Sequence, residues 1–169
     1  MAPVTASLGL GLAAVMAPTL TNHAPAYLCF HFIFAYGVLS SRTLKQFWGL
    51  DHNASPRYDL AKYGESAVTS GRIQRWQLEM LQRNESAHAN AVENFTFFAT
   101  AIGFATFSGV NRDVVNRAGL VYSAARVAYG LVYILIDHPL WSQIRGITWW
   151  IGNGTCLYLL YKASEKLND

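Results

Sequence analysis

Charge is what this sequence has least of. Only 14% of its 169 residues are Asp, Glu, Lys or Arg, against the quarter that soluble domains carry. From Met1 to Ser41 there is no charged side chain at all. Cysteine is scarce too. Cys29 and Cys156 lie far apart in apolar stretches, with neither CxxC nor metal-ligand spacing, which argues against structural zinc and dithiol redox chemistry. The net charge is a modest +3, and no basic cluster is interleaved with base-stacking aromatics, so nucleic acid is not the expected partner. A cleaved signal peptide is one reading of the N-terminus, but the Lys or Arg that would open one is missing. No internal repeat or low-complexity tract breaks the chain, which reads as one domain, residues 1–169.

What is present is apolar. Hydrophobic residues make up 52% of the chain, and the aromatic rings cluster at the ends of the apolar runs, where they favour a membrane–water boundary. The expected class is an all-α integral membrane protein built as a four-transmembrane-helix bundle. An apolar arm occupies about residues 1–23, with Val4 to Ala17 as its apolar part. Helices follow over about 24–44, 74–108, 114–136 and 140–163, each long enough to cross about 30 Å of hydrocarbon. Leu50 to Arg72 reads as an extended polar loop with some ordered contacts, and Gly152 and Gly154 as interruptions of the last helix. NxS/T sequons at Asn53, Asn84, Asn94 and Asn153 carry no weight, because the last two fall within the spans. Arg42, Lys45, Arg57, Lys62, Arg72, Arg75 and Arg83 crowd the first connection, whereas the second has only Arg112 and Arg117. The positive-inside rule therefore places the large first loop in the cytosol and both termini on the lumenal side.

The stretch Arg83 to Phe98 carries the polar residues that need explaining. At 3.6 residues per turn Arg83, Ser86, Asn90, Glu93 and Phe97 share a stripe, with His88 turned away. A carboxylate at bilayer mid-depth costs roughly 2.5–3.5 kcal/mol, so Glu93 either snorkels to the interface or lines a polar seam inside the bundle. Arg126, Tyr133 and Asp137 align on the third helix, with Tyr129 at the edge of their stripe. Arg126 lies deep enough to require an anion, and Glu93 is the expected partner, in a functional pocket or in a purely structural clamp. Tyr129 and Tyr133 are open to packing roles as well. Arg145 opens the fourth helix, where the helix dipole disfavours a cation. An anionic guest or a lipid phosphate would each answer that placement.

Ala87-His88, Asn90-Ala-Val-Glu93-Asn94, Arg126-Val-Ala-Tyr129-Gly-Leu-Val-Tyr133 and Arg145-Gly-Ile-Thr148-Trp149-Trp150 occur in this order. Together they resemble the signatures of the membrane-associated proteins in eicosanoid and glutathione metabolism, the MAPEG family. Asn53-Ala-Ser-Pro56-Arg57 is similar to that family's microbial and fungal branch, and the likeness covers roughly residues 24–163. The resemblance implies a homotrimer in the endoplasmic reticulum or another internal membrane, with a site between protomers that opens to the cytosol and holds glutathione. It implies glutathione contacts from Asn90, Glu93, Arg126, Tyr129 and Tyr133, to which Arg83 is added from its place on the same stripe. The candidate catalytic set is Arg145, from the resemblance, with Glu93, Tyr133 and Asp137 as candidate acids or bases. Arg145 would stabilise the thiolate. Lowering a thiol pKa by two units from about 8.5 takes roughly 2.7 kcal/mol.

Ser86 stands where the glutathione-using branch has Arg, Phe97 replaces a Pro, and Gly146 and Trp149 replace Ser and Tyr. Loss of an Arg at Ser86 removes a carboxylate clamp, and Arg83, one turn earlier, is placed to take it over. The expected function is a membrane enzyme acting on a lipophilic small molecule, as a glutathione transferase or a glutathione-dependent isomerase or peroxidase. A glutathione-independent isomerase or cyclase, with Glu93, Asp137, His88 or Tyr133 as acid or base, is the alternative. A non-catalytic lipid-binding scaffold is a third.

Overall fold

A computed structural model describes residues 20–169, so the arm expected over about residues 1–23 lies outside the described residues, apart from its last four. Helix α1 spans Ala24–Ile33 and continues as a π turn over Phe34–Val38; α2 spans Arg42–Phe47, and α3 spans Asp59–Thr69. The long α4 covers Arg75–Phe107, α5 covers Arg112–Leu135, and a 3₁₀ turn at Trp141–Gln143 leads into α6, Ile144–Asn168. There is no strand among the described residues. Two helical stretches, Ala24–Phe47 and Arg112–Leu135, are 24 residues each, long and apolar enough to cross a membrane.

The main core fills the space between α1, α4, α5 and α6. Phe98 and Tyr122, both fully buried, stack with ring centroids 3.9 Å apart and planes 3° from parallel. His31 meets both rings edge-on, at 5.0 and 4.8 Å. The Ser123 hydroxyl donates to the Gly119 carbonyl at 2.7 Å. It must therefore accept from His31 Nε2 at 3.0 Å, which fixes the proton of the imidazole on that nitrogen. Gly119 is small for a reason. A Cβ there would lie 2.3 Å from the Tyr27 ring, so only glycine lets α1 lie this close to α5.

At the end of the bundle where α4 ends and α5 begins, Asn116 holds the entering chain. Its side-chain oxygen accepts from His23 N at 2.8 Å, its amide donates to Thr21 O at 2.8 Å, and its carbonyl accepts from Tyr27 Oη at 3.1 Å. At the opposite end the structure departs from expectation. Leu50 to Arg72 is not an extended loop, because Leu60, Gly64 and Ala67 recur at helical spacing and α3 seats them on α4. Leu50, Leu60, Ala67, Ile73, Leu78 and Leu81 make a second core there. Lys45 is buried beside it and donates to Glu85 Oε1 at 2.8 Å and to Pro56 O at 2.5 Å. Nor do the glycines interrupt the last helix. Gly152 and Gly154 lie inside an unbroken α6, where helix packing overrides their low propensity.

Outward, Phe32, Ile33, Phe107, Leu131, Ile147, Trp150 and Leu157 are exposed, an apolar exterior suited to lipid or to another copy. Removing the stacked Phe98 ring leaves a void in the tightest part of the core. Phe98→Ala is therefore expected to cost about 3–5 kcal/mol, read as a lowered unfolding midpoint in detergent.

Candidate functional site

The polar residues of α4, α5 and α6 meet at the bundle end that carries α3. Helix α5 stops at Leu135, which leaves its last carbonyls without intrahelical donors. Arg83 of α4 satisfies one of them, donating from Nε to Ile134 O at 3.2 Å, and its Nη1 pairs with Asp137 Oδ2 at 2.9 Å. Arg145, in the first turn of α6, donates from Nε to Ser142 O at 3.1 Å and lays its guanidinium over the Tyr133 ring, 4.4 Å from the centroid. Arg83, Tyr133, Asp137 and Arg145 share a cleft of about 460 Å³ with Glu79, Gln82 and Ser86. Two guanidiniums and two carboxylates face one another across it.

A second polar layer lies deeper. The Tyr133 ring meets Tyr129 at 5.5 Å and 63°, and Arg126 sits over Tyr129 at 4.3 Å. Arg126 is 3% exposed. Its Nη2 donates to Asn90 Oδ1 at 2.7 Å, while Nη1 is buried with no hydrogen-bond partner among the described residues. Asn94 donates to the Asn90 carbonyl at 3.2 Å and so braces the acceptor. Gly152 of α6 makes room for the arginine stem, since a Cβ there would come within 3.4 Å of Arg126 Cδ. Each cation–ring contact contributes about 0.5–2 kcal/mol, more as water is excluded.

Glu93 is not the partner of Arg126. It forms no ion pair with any described residue, and Asn90 accepts the guanidinium instead. Three residues turn a helix through 300°, so Glu93 sits about 60° round α4 from Asn90, at an exposed position. Glu93 lines another cavity, of about 510 Å³, with Tyr36, Arg42, Lys45, Arg57 and His88. In that cavity the His88 Nδ1 lies 2.8 Å from Ala35 O, a carbonyl of the π turn.

The expected set therefore falls into three places: Arg83, Tyr133, Asp137 and Arg145 in the cleft; Asn90, Arg126 and Tyr129 in the layer beneath; Glu93 in a separate cavity. Glu79 and Gln82 escaped the sequence reading, although they lie one turn before Arg83 and Ser86 on the same helical face. Asn84 and the Lys45–Glu85 pair escaped it too. Asn84 donates to Leu39 O at 2.9 Å in a buried position, and nothing in its spacing separates it from a surface residue.

An apolar exterior, two helices long and apolar enough to span a bilayer and an arginine–tyrosine interior are the features of a helical membrane protein, with a polar cleft at one end of the described residues. The chain belongs to the MAPEG family, whose model matches residues 24–164, nearly the whole length. No curated protein and no solved structure matches it.

Asn90 is the only hydrogen-bonding partner of the Arg126 guanidinium among the described residues. Asn90→Ala should lower stability by about 1–3 kcal/mol, whereas Asn90→Asp, which keeps an acceptor, should unfold at or above the wild-type midpoint. Thermal unfolding in detergent distinguishes the two.

Proposed function

We propose that the chain is a membrane enzyme that uses glutathione to transform a lipophilic small molecule. The observation that carries this reading is the cleft, with Arg83, Arg145, Asp137 and Glu79 around Tyr133. The cleft offers Arg83 for one glutathione carboxylate, Asp137 and Glu79 for the ammonium and Arg145 for the sulfur. The donor set fits, and Arg83 stands in for the arginine that Ser86 lacks. Glutathione would supply a nucleophilic sulfur there.

The residues divide the work. Arg83 holds a carboxylate by a forked charge-assisted contact, and Asp137 and Glu79 receive the ammonium. Tyr133 holds Arg145 by its ring face, and Arg145 provides positive charge for a thiolate. Asn90, Tyr129 and Arg126 lie in the layer beneath and do not line the cleft.

In this reading 24–47, α4, α5 and α6 are the four spanning elements of one domain, and three copies assemble as a homotrimer in the endoplasmic reticulum or another internal membrane. The large first loop, with α3, faces the cytosol and the termini face the lumen. Lysine and arginine in that loop support this orientation. The neighbouring bilayer delivers the lipophilic substrate.

A second reading dispenses with the thiol. The cavity that holds Glu93 also holds His88 and three cations, a setting for acid–base isomerisation or cyclisation of an apolar metabolite.

Isothermal titration should show glutathione binding the purified protein at millimolar affinity or better, with ultraviolet thiolate absorbance that Arg145→Ala abolishes. Failure of the wild-type protein to bind glutathione removes the first reading. Turnover that survives glutathione depletion and is lost in Glu93→Gln establishes the second.

A further inference from the structure

Arg126 is too deeply buried to reach a guest in the cleft, yet it is connected to it. Tyr129 lies one turn along α5 from Arg126, and Tyr133 one turn further. The order in space is guanidinium, ring, ring, guanidinium. Arg126 lies 4.3 Å from the Tyr129 centroid, Tyr129 lies 5.5 Å from Tyr133, and Arg145 lies 4.4 Å from Tyr133. The inner end is anchored by Asn90 and by the space over Gly152. The outer end is free: Arg145 makes no ion pair with any described residue, and its one hydrogen bond holds Nε to the adjacent Ser142 carbonyl. The terminal nitrogens, which would face a guest, are therefore oriented by the Tyr133 ring.

We propose that Arg126 is a positioning residue, which fixes the guanidinium of Arg145 in the cleft through the stacked rings of Tyr129 and Tyr133 without touching the guest. This rests on the glutathione reading for its chemical consequence but not for its geometry. Ring faces attract cations and an edge-to-face pair resists rotation. With Arg126 on its face, Tyr129 has one allowed orientation, and Tyr133 is packed against it. A flexible arginine on the first turn of a helix thereby becomes a preorganised charge. A purely structural Arg126, in contrast, would hold α4 to α5 and leave Arg145 indifferent to the rings.

Two measurements separate these cases. The first needs no glutathione. Protein labelled with ¹³C at the arginine Cζ is placed in detergent micelles, and the Arg145 resonance is assigned by Arg145→Lys. Tyr129→Phe keeps the ring and should leave that resonance where it is. Tyr129→Leu and Arg126→Met should move it toward its position in Tyr133→Leu, where the ring beneath Arg145 is gone. An Arg145 signal unmoved in Tyr129→Leu or in Arg126→Met overturns the proposal, whatever glutathione does.

The second measures thiolate absorbance of bound glutathione against pH, beside binding of S-methylglutathione, which has no thiol to ionise. Tyr129→Leu should raise the apparent pKa of the bound thiol by about one unit, a tenfold loss of thiolate at fixed pH below it, with S-methylglutathione affinity retained and Tyr129→Phe behaving as wild type. Equal loss in the Phe and Leu variants, or weaker binding with an unchanged thiol pKa, assigns Arg126 and Tyr129 to structure alone and overturns the proposal. If the wild-type protein binds neither ligand, the glutathione reading fails, and the resonance of Arg145 still decides the stack.

Discussion

Everything in the interior of this bundle answers to one guanidinium. Arg126 cannot shed its proton, and an arginine in a low-dielectric core must be given hydrogen-bond acceptors and electron-rich surfaces or it will not stay. Asn90 provides the acceptor, Tyr129 the surface and Gly152 the room. They come from α4, α5 and α6, so the requirement of one side chain sets how three helices sit against one another. The ring of Tyr129 is what couples that requirement to the cleft.

The two ends of the molecule are held by different means. Toward α3 the contacts are ionic: Arg83 with Asp137, Lys45 with Glu85, Arg75 with Glu65. The hydrogen bonds from Arg75 draw the exposed Glu65 carboxyl below its ordinary pKa, a local effect that salt would screen. Through the middle and toward the far end, neutral groups take over, with His31 on Ser123, Tyr122 on Asn94 and Asn116 on the entering chain. Neutral hydrogen bonds carry no Born cost where water is scarce. The ion pairs at the far end, Arg117 with Asp113, Lys162 with Glu165 and Lys166 with Asp169, are local to one helix; those that join separate elements lie toward α3, where ligands from water can enter.

The apolar runs and the α5 stripe were legible in the sequence because both rest on the helical period alone. Arg126, Tyr129 and Tyr133 follow each other by one turn whatever surrounds them. The partner of Arg126 was not legible, since Asn90 and Glu93 differ by about 60° in azimuth, a difference decided by how α4 rolls against α5. Charge favoured Glu93 and packing chose Asn90. The helix α3 was hidden for another reason. Its buried stripe is Leu60, Gly64 and Ala67, two of them too small to register as apolar, in a stretch whose Pro56, Gly64 and Gly71 read as breakers.

The π turn of α1 reaches further than its five residues. Leu39 N–H bonds back to Phe34 O and Ser40 N–H to Gly37 O, so the ladder slips by a rung and Ala35 O is left to His88. A turn with one surplus residue rotates all that follows by about 100°. Beyond the π turn the chain leaves the helix over residues 39–41 and re-enters it at α2, where Lys45 is buried against Glu85. Losing the surplus residue would return the Ala35 carbonyl to the α-helical ladder and take from His88 the acceptor that the slipped rung leaves open, with the apolar composition of the span almost untouched.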